Sequence, residues 1–218
     1  MNNLPGAPDA LLLVTSTCPN CPSVLESVTR LVKQGELGRL EIINLQQHPE
    51  AAEEHGVRSV PWLRIGALEF LGVYPYGELR DWARTANKAE GLASFLIAML
   101  TSGQLASAEH AVRRHPEFAA ATARLLADTE TPMEVRIGLG AIYETLDDDS
   151  RLAELVPALE PLLSSNQARI RNDACYLLGL SGSETARPLL ETCLTDADEE
   201  VRETAREGLD AISAQDQS

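Results

Sequence analysis

The chain has 218 residues, 44% of them hydrophobic and 23% charged, with a formal net charge of −15, which is length enough for two modest domains that each bury a core. Aromatic residues make up only 4%, a composition that favours helices packed through Leu, Val and Ala. Splitting the chain after Ala86 leaves 7 basic and 10 acidic residues before the cut and 11 and 23 after it, so the clustered cations that bind nucleic acid or an anionic membrane are missing and neither is expected as a partner.

The opening Met-Asn-Asn-Leu-Pro-Gly carries no basic stretch, and Ala10–Val14 is too short for a signal or membrane segment, so a cytoplasmic protein is expected. Ala10–Val14 reads as a buried strand that runs into Thr15-Ser16-Thr17. Cys18-Pro19-Asn20-Cys21-Pro22 follows, and Val24, Leu25, Val28, Leu31 and Val32 then recur at helical spacing before Gly35 and Gly38. The cysteines therefore sit at the start of an amphipathic helix. Residues 40–45 read as a second strand, 49–55 as a short helix, 60–65 and 68–73 as strands joined at Gly66-Ala67, and 76–86 as a closing helix. The order βαβαββα predicts an α/β domain over residues 1–86, a sheet with helices on both faces.

After Asn87 the apolar residues keep helical spacing almost to the end. Three stretches resemble one another, beginning at Glu134-Val-Arg, Arg169-Ile-Arg and Glu200-Val-Arg, with Arg136, Arg171 and Arg202 35 and 31 positions apart. Each follows a helix that ends in an apolar pair, Leu125-Leu126, Leu162-Leu163 or Cys193-Leu194, and then a polar loop. One helix pair cannot cover its own apolar face, so stacked neighbours share a continuous core. These stretches resemble HEAT repeats, in which a Val-Arg pair opens the second helix after an Asp-containing loop. The middle copy departs with Ser165-Asn166 in place of the Asp. The resemblance implies an all-α solenoid over residues 116–218 with a short disordered C-terminal tail, and leaves residues 87–115 as a helical connector or atypical first repeat.

Four cysteines are too few for a disulfide scaffold, so in a reducing compartment a close pair points to catalysis or metal binding. Two cysteines separated by two residues can form a disulfide without backbone movement, and each can resolve the other's partner. The first helical turn leaves backbone N–H groups unpaired, and their partial positive charge favours a thiolate at Cys18. Cys18 is thus the expected nucleophile and Cys21 the resolving thiol, with Thr17, Pro19 and Asn20 supporting them.

This element order, the Cys-x-x-Cys and the Val60-Pro61 that opens the third strand resemble the thioredoxin superfamily. The resemblance implies a cis Pro61 packed against the cysteines, with the Val60 backbone left to pair with an extended substrate. Thr-Cys-Pro-Asn-Cys-Pro departs from the usual Trp-Cys-Gly-Pro-Cys and is nearer to glutaredoxins and to the N-terminal domain of alkyl hydroperoxide reductase flavoprotein subunits. The acidic residue that thioredoxins bury in the strand before the site has no counterpart in residues 10–17, which leaves water or a carboxylate such as Glu26 to take the Cys21 proton.

Blander readings compete with these. Zinc would need two further ligands, and the spacing of His48 and His55 from the cysteines fits no common pattern, so neither metal nor cofactor is expected. Cys175 and Cys193 lie in repeat helices, Cys193 aligned with Leu162 at a position expected to face the core, and free cysteines there act as small hydrophobes. The three repeat arginines suit bonds to neighbouring loops better than a ligand ladder, and Glu130, Asp147–Asp149 and Asp196–Glu200 suit helix caps.

The expected function is thiol–disulfide exchange on protein clients through Cys18 and Cys21, with the repeats selecting the client and a reductase or other donor supplying electrons. The alternative is a redox-sensitive interaction adaptor in which the helical region is the working part.

Overall fold

The computed structural model describes residues 6–146 and 150–215; the Asp147–Asp149 run, the first five residues and the tail after Gln215 lie outside it. The chain divides into two compact units, one ending at Leu92 and the other starting at Ala93.

In the first unit, β1 (Ala10–Val14), α1 (Cys21–Lys33), β2 (Leu40–Asn44), α2 (Glu50–Glu54), β3 (Trp62–Ile65), β4 (Leu68–Leu71) and α3 (Tyr76–Thr85) follow in that order. The strands form one sheet in the order β2-β1-β3-β4. β1 runs parallel to β2 and antiparallel to β3, with Leu12 opposite Ile42 and Leu63. β1 is central and almost wholly buried, which explains its unbroken run of apolar side chains.

The two faces of the sheet follow the two-residue period of the strands. Leu11, Leu13 and Trp62 point to one face, where they pack with Ala51 of α2 and with Ile43, Leu45, Val57 and Val60. Phe70, opposite Leu63 on the other face, meets Trp82 of α3 at a ring separation of 6.3 Å. Arg30 of α1 lies 4.2 Å above the ring of Tyr76 at the start of α3. The β3–β4 connection turns in two residues, with Gly66 at φ 58°, a conformation that glycine adopts without penalty.

Beyond α4 (Ala89–Thr101), inside which the two units divide, the chain is helical: α5 (Leu105–Arg114), α6 (Phe118–Ala127), α7 (Met133–Glu144), α8 (Ser150–Leu159), α9 (Ala168–Leu180), α10 (Arg187–Cys193) and α11 (Glu199–Gln215). Pro157 lies within α8, where it removes a helical donor, and the chain tightens into a 3-10 turn at Glu160–Ser164. Leu139, Ile142, Leu178 and Val201 are buried among the helices. Inside this core the Tyr143 hydroxyl meets that of Thr122 at 2.9 Å, and burial pushes the phenol up to about 12.

The repeat arginines bind protein. Arg136 pairs with Asp173 of the next repeat at 2.5 Å and donates to the carbonyls of Leu126 and Asp128 at 3.1 and 2.6 Å. Arg171 grips both carboxylate oxygens of Asp196 at 2.7 Å and donates to the Ser165 carbonyl at 2.8 Å. Arg202 donates to the carbonyls of Asp196 and Ala197. The middle loop, which lacks its own Asp, is thus held through a carbonyl while its arginine reaches forward to the Asp of the next loop. The acids of that next loop also cap, since Asp198 accepts from the N–H of Glu200 at 3.0 Å.

Candidate active site

The site begins where β1 ends. The Cys18 N–H turns back to the Thr15 carbonyl at 3.3 Å, and Pro19 holds the residue before it out of helical conformation. Cys21 is the first residue of α1 and Pro22 stands in its first turn, a position that suits a residue with no N–H to place. The helix therefore opens at the second cysteine, with the first in the preceding turn. The Asn20 side chain makes no capping bond at this end; the Cys21 N–H, one of the donors a helix start leaves open, donates to the Cys18 sulfur at 3.1 Å.

The two cysteines are joined as a disulfide with a Cα–Cα separation of 5.5 Å, within the range such a bond requires. Cys21 is 5% exposed, whereas Cys18 is half-buried and Thr17, Pro19 and Asn20 around it are exposed. The outer sulfur is the one an incoming molecule can reach. The arrangement supports redox activity.

The sheet register carries a second segment to this end of the domain. Leu13 pairs with Trp62, so Val60 and Pro61 lie beyond β3 at the end where β1 enters the cysteine turn. The Val60–Pro61 peptide is cis. The Pro61 carbonyl accepts from the Gly72 N–H at 2.9 Å, whereas the backbone of Val60 is bonded to no group among the described residues. β3 starts at Trp62, two residues later than the sequence pattern suggests, because Pro61 has no N–H to give the ladder.

Other sequence candidates fall elsewhere. Cys21, Val24, Val28 and Leu31 form the buried face of α1, and Glu26 stands exposed five residues from Cys21, about 140° around the helix from it; it does not face that thiol. His55, weighed above only as a metal ligand, is 8% exposed and stacks on Trp62 at 5.5 Å and 19°, buttressing the residue next to Pro61. That pairing has no periodic signature in the sequence, since a loop separates the two residues. His48 pairs instead with Glu50 at 3.0 Å. No cluster of three metal-ligating side chains occurs among the described residues.

Cys175 and Cys193 are buried free thiols. A hydrogen bond with Cys193 together with burial pushes the Cys175 thiol up, and Cys193 in turn donates to the Leu189 carbonyl at 3.5 Å. No helix among the described residues is long and apolar enough to cross a membrane.

A family described as Thioredoxin domain matches residues 10–84, and one described as HEAT repeats matches residues 105–210. A thioredoxin of Methanocaldococcus jannaschii is 32% identical over 63 residues, covering 28% of this chain and 74% of that protein. The chain belongs to the thioredoxin family, its thioredoxin domain followed by HEAT repeats.

Proposed function

We propose that the protein is a thiol–disulfide oxidoreductase acting on protein disulfides, and the observation that carries this is the half-exposed Cys18 bonded to a buried Cys21 at the opening of α1. In the reduced protein the Cys18 thiolate, favoured by the helix start, attacks one sulfur of a client disulfide. The other client sulfur leaves as a thiol after taking a proton. Cys21 gives up its proton and attacks Cys18, the mixed disulfide breaks, and the second client thiol departs. Two electrons and two protons pass to the client, and the protein is left in the disulfide form of this structure. A cellular dithiol donor resets it, in keeping with a cytoplasmic protein.

The Val60 backbone, bonded to no group among the described residues, is suited to pair with an extended client segment beside the sulfurs, while Thr17, Pro19 and Asn20 shape the surface around them. In this reading residues 1–86 hold the chemistry, 87–115 connect, and 116–218 hold the client. Reduction of insulin by dithiothreitol tests it: wild type accelerates the reaction, and Cys18→Ser abolishes the acceleration. Equal rates for wild type, Cys18→Ser and Cys21→Ser would end the assignment.

One observation favours a second reading, a redox-sensitive adaptor whose repeats are the working part. Met133 and Ile137 of α7 are 58% and 66% exposed, more than a solenoid needs for its own packing.

A further inference from the structure

A groove of about 700 Å³ on the repeats is bounded by α7, α9 and the start of α11. Its apolar lining includes Met133, Ile137 and Tyr176, all of them exposed. A second depression, of about 290 Å³, continues from Tyr176 along Thr204, Glu207 and Ala211 of α11. Small residues keep the floor low, among them Gly140, where an added Cβ would meet only the Tyr176 ring, at 3.8 Å.

The charge of this surface is one-sided. Its carboxylates are Glu144, Asp173, Glu200 and Glu207, and its cations are Arg136 and Arg169. Arg136 is spent on Asp173 and on the Leu126 and Asp128 carbonyls at the end of α6, and Arg169 donates to the Thr129 carbonyl at 3.3 Å. Arg171 and Arg202 are likewise turned to loops. Glu144 accepts from the Tyr176 hydroxyl and Glu200 from Asn172 at 3.4 Å, neutral donors that leave the negative charge in place. Exposed apolar side chains rimmed by uncompensated carboxylates complement a segment with apolar anchors flanked by Lys or Arg.

We propose that this groove docks a cationic amphipathic segment of a protein client, its apolar side chains seated on Met133, Ile137 and Tyr176 and its basic side chains on Glu144, Glu200 and Glu207. The proposal rests on the reading of the repeats as a client-binding scaffold and names the chemistry of the client. Three helices about 10 Å apart span roughly 20 Å, which a helix of about 13 residues covers.

The test uses the full-length protein and fluorescence anisotropy with a fluorescein-labelled peptide of about that length, carrying leucines on one helical face and lysines on the other. Two comparators replace every Leu with Ser or every Lys with Glu. The Leu/Lys peptide binds at least about tenfold more tightly than either, and added salt weakens it. A Met133→Ser/Ile137→Ser variant weakens it by about tenfold or more, as does Glu200→Gln/Glu207→Gln. All four side chains are at the surface, and reduction of a small aromatic disulfide by these variants at the wild-type rate shows that the thioredoxin chemistry is untouched.

Equal binding of the three peptides, or no loss in either variant, overturns the proposal. So does sedimentation showing the groove filled by a second copy of the chain that the peptide fails to displace. If the peptide fails while the small disulfide is still reduced through Cys18, the groove assignment falls and the oxidoreductase assignment stands.

Discussion

Cys18 owes its assigned reactivity to the few atoms around it. The Cys21 N–H already points at its sulfur at 3.1 Å, and in the reduced protein that donor and the open helix end stabilise a thiolate. Alkylation of Cys18 by iodoacetamide, followed against pH, is therefore expected to show a midpoint below the ordinary thiol value of about 8.5; a midpoint at or above it contradicts the electrostatic account. Elsewhere, hydrogen bonds from Arg171 hold the Asp196 carboxyl below its usual range. A carboxyl lowered in the folded state adds stability that is present above its unfolded value of about 3.9 and is lost as pH falls through the folded value. Asp196→Asn is thus expected to cost about 1–3 kcal/mol at neutral pH, with the gap to wild type in urea unfolding closing below about pH 4. A gap that persists unchanged into that range would show that the cost is not electrostatic. Single residues were legible in the sequence where a local spacing encodes them, as with Cys18 and Cys21. The His55–Trp62 stack was not, because it depends on how a loop folds back onto β3.

Helices and strands were the most readable level, since a short unbroken apolar run marks β1 and helical periodicity marks α1 and the repeat helices. At two element ends proline supplies the reason: Pro19 and Pro22 set the start of α1 at Cys21, and Pro61 delays β3 to Trp62. Close approach between helices was invisible in the pattern. A Cβ added at Gly179 of α9 would lie 2.7 Å from the Cα of Gly208 in α11, a backbone contact that cannot give way without parting the helices. Gly179→Ala gains about 1 kcal/mol in helix propensity but forces this crossing apart at about 1–3 kcal/mol or more, so a net loss in thermal stability is expected. Gly77 of α3 has nothing within 4 Å of an added Cβ, and Gly77→Ala is expected to stabilise by about 0.5–1 kcal/mol. Calorimetry that finds the same sign for both variants contradicts the packing argument.

The whole molecule joins two units with unlike electrostatics. The counts around Ala86 give 7 − 10 = −3 before the cut and 11 − 23 = −12 after it, so the negative field belongs mainly to the repeats. The change of class was legible because strand segments end and helical spacing runs on after Asn87. The groove was not, since the exposure of Met133 and Ile137 follows from how the second helices stack. A field of this sign attracts cationic partners and is screened by salt. Reduction of a lysine-rich disulfide peptide is expected to slow as salt rises, and that of a glutamate-rich one to hold steady or quicken; the same salt response for both would remove any steering role. The central claim rests on the sulfur at Cys18. Intact-mass and peptide mapping after the Cys21→Ser protein meets a disulfide-containing peptide is expected to find one mixed disulfide, on Cys18, that persists, whereas wild type passes on to its own disulfide. An adduct that builds up mainly at Cys21 in the reciprocal Cys18→Ser variant, or no adduct in either, would contradict the account.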